Sequence, residues 1–411
     1  MTEKSSRSQL EYALILGSLA ALGPLCIDLY LPALPQMATA FTTSTSVTQL
    51  SLTAGLLGLG AGQLVFGPLS DKLGRRLPLL LSLVMLLLTS IWCALAQDIG
   101  QLIVARLLQG IAGAGGAVLS RAIARDLYIG HALTRFFSLL MLINGLAPIL
   151  SPVFGGLLLG VTSWRGIFAL LAVIACLLLT MSTLRLNETL PAERRITGGV
   201  GSILSSLGSL LRERTFMGLC LAQGLCGAGM FAYIGASPFV LQEVYGLSPQ
   251  AFSLCFAANG IGLIAAGQLA AHFSLRFGEQ RVLRVGLAIA VIAALTLTVA
   301  GLLHAPLIAI LIPLFFAIAM IGIISPCASS LAMQSQGDKA GSASALIGLN
   351  MFVFGALSVP FTGLGGSTSA LSMALVILGC YLLAVTAYLL LSLRYVPVRD
   401  KLQKSRTDTR R

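Results

Sequence analysis

Charge is what this 411-residue sequence has least of: only 10% of its residues are Asp, Glu, Lys or Arg, where an ordinary soluble domain carries about 25%. The three histidines, His131, His272 and His304, are scattered and have no ligand spacing. Eight cysteines occur at positions 26, 93, 176, 220, 226, 255, 327 and 380, all within apolar stretches, and no CxxC pair is among them. They read as small packing residues, not as disulfides or metal ligands. There are no paired carboxylates, no nucleophile triad and no metal cluster. No G-x-x-x-x-G-K-[ST] loop is present to power the chain with ATP. These absences exclude the common enzyme classes and any expectation of a bound cofactor.

Apolar residues make up 57% of the chain, and the mean hydropathy is +0.94. No soluble core is large enough to hide that much surface, so lipid must be its solvent. A net charge of +12 would suggest nucleic acid if the bases formed one face. Instead they sit in short clusters between apolar runs, as membrane topology requires. The N-terminal Lys4 and Arg7 precede a run of full spanning length without a small-residue cleavage site, so this run is expected to be retained.

Twelve segments reach the ~20 residues that a span needs: 11–35, 47–69, 77–96, 99–124, 134–160, 164–185, 215–241, 250–272, 282–303, 305–333, 340–365 and 369–393. Backbone groups in lipid must satisfy one another, so spans this long are helices. Alternate loops hold Lys72, Arg75 and Arg76, then Arg125 and Arg135, then Arg194, Arg195, Arg212 and Arg214, then Arg276, Arg281 and Arg284, then Lys339; the tail is also basic. The opposite loops hold only Arg165. This bias puts both termini in the cytoplasm.

The longest internal polar stretch, 187–214, separates spans 1–6 (residues 1–186) from spans 7–12 (residues 215–393), and a basic tail covers 394–411. Ala61-Gly62-Gln63-Leu64 recurs as Ala266-Gly267-Gln268-Leu269, 205 positions later, and Asn144 and Asn350 differ by 206. The expected fold is therefore an all-α membrane protein of two repeated six-helix halves, a transporter architecture.

Few polar residues lie within the spans, and each needs a reason. Asp28 is about 17 residues into span 1 and Arg106 about seven into span 4. An ionisable group at such depth is costly and marks a functional site by default. We expect Asp28 to carry a coupling proton, balanced between its two protonation states by apolar burial and by Arg106. A fixed ion pair is the alternative. In span 5, Pro148 and Pro152 remove backbone donors, and Gly155 and Gly156 admit a close neighbour. Tyr30, Gln109, Met141, Asn144, Met230, Phe231 and Tyr233 are candidates to line a substrate cavity, with ordinary helix packing the favoured reading of each.

The loop after span 2 reads Gly67-Pro68-Leu69-Ser70-Asp71-Lys72-Leu73-Gly74-Arg75-Arg76. It resembles the G-x-L-x-D-x-x-G-R-[KR] signature of the major facilitator superfamily, complete at Gly67, Leu69, Asp71, Gly74, Arg75 and Arg76. In that family the loop latches the cytoplasmic side, so the resemblance implies a charge cluster of Asp71 and Arg75 with Asp126. The second copy, Phe273 to Arg284, is degraded, with Arg276 about where the acid would stand. Arg106-x-x-Gln109-Gly110 resembles a second family motif. Asn144 to Gly156 partly resembles the antiporter motif G-x-x-x-G-P-x-x-G-G, with Ala147 and Ser151 in place of its first two glycines.

Asp28-x-Tyr30-Leu31-Pro32-Ala33-Leu34-Pro35, Arg121-x-x-x-Arg125-Asp126, Ser163-Trp164-Arg165-x-Ile167-Phe168 and Asn187-Glu188-Thr189-Leu190-Pro191 look like the Bcr/CflA drug-resistance subfamily. That likeness implies proton-driven efflux of small organic compounds, with bicyclomycin, chloramphenicol-type drugs and sulfonamides among the group's substrates. A metabolite or amino-acid exporter, or a nutrient uniporter or symporter of the same fold, is the competing reading. The expected partners are a small-molecule substrate and the bilayer, with protons as coupling ion and a functional monomer.

Overall fold

Backbone that crosses lipid must close its own hydrogen bonds, and the chain does so with helices. The computed structural model describes residues 3–128, 131–191, 193, 195, 208–334, 336, 340–364 and 370–392, and no strand occurs among them. The basic tail 394–411 and much of the central loop lie outside the described residues. Among the described residues ten helices are long and apolar enough to span a bilayer, and two shorter apolar stretches, Gly145–Leu158 and Leu346–Thr362, belong to spans 5 and 11. The chain is thus a multi-pass membrane protein.

Span 1 is Glu3–Asp28, continued by a 3-10 turn, Leu31–Ala33, and a short helix, Leu34–Ala40. Spans 2 to 6 are Thr45–Leu73, Arg76–Leu95, Ile99–Leu127, His131–Leu158 and Trp164–Arg185. Span 7 is Arg214–Phe239 with a π-helical turn at Val240–Val244, and spans 8 and 9 are Pro249–Phe277 and Glu279–Leu302. Span 10 is broken at Met320 into Leu307–Ala319 and Ile321–Met333, and Ala340–Thr362 and Leu371–Ser392 complete the set. Tight connections are secured by side-chain N-caps. Ser44 accepts from the Val47 N–H, Asp98 from that of Gln101 and Ser248 from that of Ala251, each one satisfying a donor orphaned by its helix start.

Span 1 departs from the uninterrupted helix expected over 11–35. Pro32 has no N–H to return to the Asp28 carbonyl, and it disfavours helical backbone at Leu31. The Ala33 N–H turns back to Tyr30 instead, 2.9 Å away. The helix therefore ends at Asp28 and leaves the Leu29 carbonyl free to meet a neighbour.

Small residues set how the halves are built. A Cβ at Gly58 would stand 2.1 Å from the Leu107 carbonyl oxygen, and one at Gly110 would stand 2.2 Å from that of Gly55. Spans 2 and 4 therefore touch backbone to backbone. The repeat seen in sequence has a structural echo: Gly62 faces the Ile111 carbonyl of span 4, and Gly267 faces the Gly322 carbonyl of span 10.

Among the described residues, a set of hydrogen bonds joins the halves on the face away from the termini. Gln49 Nε2 donates to the Gly235 carbonyl at 3.0 Å and to Thr362 Oγ1 at 2.9 Å. Thr53 donates to the Ala356 carbonyl, Gln242 to that of Pro32, Gln250 to that of Gly156 and Ser253 to that of Pro152. This far face is closed by uncharged donors, on backbone oxygens and on Thr362 Oγ1.

Candidate functional site

Arg106 is fully buried inside the first half. A guanidinium without water needs acceptors and polarisable faces. Gln109 lies one turn along the same helix face, and its Oε1 accepts from Arg106 Nη1. Gln109 is steadied in turn by donating to Ser90 Oγ at 2.8 Å. The Tyr30 ring stacks on the guanidinium 4.2 Å from its centroid, and Phe168 lies 5.8 Å away. Nε and Nη2 have no hydrogen-bond partner, and Nη2 is pressed against the Cα face of Gly55.

Tyr30 and Gln109, offered as cavity residues, are both fully buried and serve to solvate Arg106. Phe231 is a packing residue as well: it is buried against Phe352, and a Cβ at Gly355 would meet its ring at 2.3 Å. Met230 is partly exposed. Tyr233 accepts a hydrogen bond from Asn259 Nδ2 at 2.9 Å and stacks on Phe256, so spans 7 and 8 fix its orientation. The side chains of Met141 and Asn144 lie outside the described residues.

Asp28 is 5% exposed and ends the first helix of span 1. The structure does not bring it to Arg106. The ion pairs of the described residues are Arg75 with Asp71 and with Asp126, and none involves Asp28. The turn that follows Asp28 meets the second half, where Gln242 Nε2 donates to the Pro32 carbonyl at 3.2 Å. Asp28 is therefore a buried carboxylate at the seam between halves, with no cation bound to it.

The span 5 motif lies directly behind it. A Cβ at Gly155 would stand 1.9 Å from the Leu29 carbonyl oxygen. On the opposite side, a Cβ at Gly156 would stand 2.5 Å from Ser253 Oγ of span 8, whose hydroxyl donates to the Pro152 carbonyl at 2.7 Å. Pro152 lies in the helix interior and Ser253 partners its carbonyl. Pro152, Gly155 and Gly156 thus let span 5 touch the Asp28 segment and the second half together, while Pro148 lies one turn earlier in the same helix.

The loop after span 2 forms the expected cluster. Arg75 donates through Nη1 to Asp71 at 2.5 Å and through Nε to Asp126 at 2.9 Å. Gly74 has φ +94°, backbone that favours glycine. Leu69 packs at the edge of the first half's core, and Arg76 donates to the Thr183 carbonyl at 2.8 Å. At Gly67 nothing lies within 4 Å of where a Cβ would be.

Sequence reasoning missed Glu188. Its carboxylate accepts from the N–H groups of Arg75, Arg76, Thr189 and Leu190 at 2.8, 3.2, 3.0 and 2.9 Å. Burial works against the charged carboxylate, yet the N–H groups of Leu190, Arg75, Arg76 and Thr189 prevail and hold it below the ordinary carboxylate range. The only signal in sequence was the Asn187–Pro191 motif itself. In the second half Gly278, at φ +83°, opens span 9 as Gly74 opens span 3, but Glu279 stands in the place of Arg75. Glu279 accepts from Ser330 Oγ at 2.8 Å and Gln334 Nε2 at 2.9 Å, so here a carboxylate meets uncharged donors where the first half has an ionic cluster.

A sequence profile of the Major Facilitator Superfamily matches residues 16–360. The MFS-type transporter YdgK of Bacillus subtilis (strain 168) is 43% identical over 367 residues, 89% of this chain and 91% of that protein. The bicyclomycin resistance protein homolog of Haemophilus influenzae is 28% identical over 393 residues, 96% and 99% of the two chains. Among solved structures, a bacterial homolog of the human lysosomal transporter Spinster superposes with a TM-score of 0.72 at 18% identity, covering 95% of this chain and 98% of its own. At that identity the likeness concerns the fold alone.

Proposed function

The chain belongs to the major facilitator superfamily and is a transporter, not an enzyme; from that premise we propose that it exports small organic compounds from the cytoplasm in exchange for protons. The membrane is the bacterial inner membrane and both termini are cytoplasmic, a reading supported by the distribution of Lys and Arg between loops. The far face is then the outer face, and the uncharged bonds across it hold the protein closed to the exterior. The relatives named for drug resistance favour efflux over uptake.

One observation carries the mechanism. Asp28 is buried at the seam between halves without a cation, on a helix end whose next carbonyl abuts Gly155. Such a carboxylate binds or sheds a proton as its surroundings open and close. Its neighbours at the seam, Pro32 and Pro152, accept the bonds that shut the outer gate. Opening that gate therefore changes the environment of Asp28, which is the linkage an exchanger needs. Arg106 acts from inside the first half, as a fixed charge next to Tyr30 that biases the site. On the inner side the cluster of Asp71, Arg75 and Asp126 is already formed within the first half while the outer face is closed; it shapes the latch surface that meets the second half when the outer gate opens.

Cells expressing the protein and loaded with a fluorescent organic cation should retain less dye than control cells, and a protonophore should abolish the difference. Dye accumulation above the control would sink the export reading in favour of uptake.

A further inference from the structure

The Asn187–Pro191 segment begins the connection between the halves, and the mechanism above gives it no task. Its carboxylate is nevertheless seated in a specific place. Glu188 Oε1 and Oε2 accept from the backbone N–H groups of Arg75 and Arg76, where span 3 starts and its donors are unpaired. The positive end of the helix dipole favours an anion there. Gly74 makes room for it, since a Cβ at that position would stand 2.4 Å from Glu188 Oε2. The neighbouring Thr189 hydroxyl donates to Asp126 Oδ2 at 3.1 Å, the same oxygen that receives Arg75 Nε. Two consecutive residues of the connection therefore hold both sides of the Arg75–Asp126 pair.

We infer that Glu188 is a positioning residue of the inner latch: carried on the chain that joins the halves, it caps span 3 and sets Arg75 where that side chain bridges Asp71 and Asp126. Gly74 then has two tasks, one for the turn and one for the carboxylate. The connection between halves is part of the gate, not a slack tether. This inference rests on the proposed role of the Asp71–Arg75–Asp126 cluster as a gate, and only its transport arm depends on that role.

The test has two arms. In the first, hydrogen exchange is followed on the purified protein in lipid nanodiscs, without any substrate. Glu188→Ala should speed exchange of the Arg75 and Arg76 amides by about tenfold or more, with Glu188→Gln intermediate because its amide oxygen can still accept. Unchanged protection of those amides in Glu188→Ala would overturn the inference. If the alanine variant does not fold, Glu188→Gln carries the same comparison, and wild-type protection there overturns it equally. The second arm measures efflux kinetics. Glu188→Gln should lower turnover with KM unchanged, and should lower it no further when Arg75 is already Ala. Losses that multiply in the double variant would overturn the positioning role. Absence of proton exchange would refute the export mechanism yet leave the first arm intact.

Discussion

Gly155→Ala is the perturbation that discriminates best between a bent structural helix and a working part. The added Cβ would stand 1.9 Å from the Leu29 carbonyl oxygen, where ordinary contact begins at 3.4 Å. Backbone faces backbone at this point, so no side chain can swing aside. Span 1 and span 5 must part by roughly 1.5 Å, at a cost of about 1–3 kcal/mol by the measure of overpacked cores. The displaced segment begins one residue after Asp28. A misplacement of about 1 Å at a reacting group costs on the order of a hundredfold in rate. We expect proton-coupled efflux by Gly155→Ala to fall about ten- to a hundredfold, with a melting temperature lowered by only a few degrees. The control is Gly145→Ala in the same helix, whose Cβ would meet only the Ile264 Cδ1 tip at 3.6 Å; it should transport like the wild type. Efflux is assayed in proteoliposomes at matched protein density. Wild-type turnover by Gly155→Ala would refute the claim that this contact positions the Asp28 segment.

Other outcomes follow from the same geometry. Gln109→Leu takes the carbonyl oxygen from a fully buried guanidinium, so unfolding in detergent should become easier by about 3 kcal/mol or more; an unchanged melting temperature would show that water reaches Arg106. Gln49→Leu removes the bonds to Gly235 and Thr362 that span the outer face, and should raise labelling of outer-gate cysteines by impermeant reagents, by about tenfold per 1.4 kcal/mol lost. Arg75→Ala should slow turnover and leave substrate affinity near the wild-type value, measured by paired transport and binding assays. The Glu188 carboxyl has its pKa depressed in the folded state, so its stabilisation is complete above the ordinary value near 4.3 and is lost as pH falls below it. The difference in melting temperature between wild type and Glu188→Gln should therefore be constant from about pH 5 to 8 and shrink in stronger acid.

Much of the fold was legible because hydropathy and charge act along one dimension. Twelve apolar runs and inward-biased bases suffice to count helices and pair the halves. The spacing of Arg106 and Gln109 was legible too, since residues three apart share a helix face. What lay out of reach was azimuth and contact between helices. Nothing in the pattern told which way Tyr30 points, and its ring lies against Arg106. Asp28 and Arg106 were paired in expectation because each lacked any other partner in the sequence. The structure separates them because Gln109 and two aromatic rings already solvate the arginine. The break after Asp28 was foreshadowed by Pro32, whose effect falls four residues earlier. Glu188 could not have been singled out by charge, because its partners are main-chain N–H groups.

The central claim is exchange of substrate for a proton carried by Asp28. Inside-out vesicles are given a preset pH gradient, acid inside, and an exported compound is added while proton movement is recorded. Wild-type vesicles should release protons on addition of the compound, and Asp28→Asn vesicles with equal protein content should not. Equal proton release from both would contradict the account.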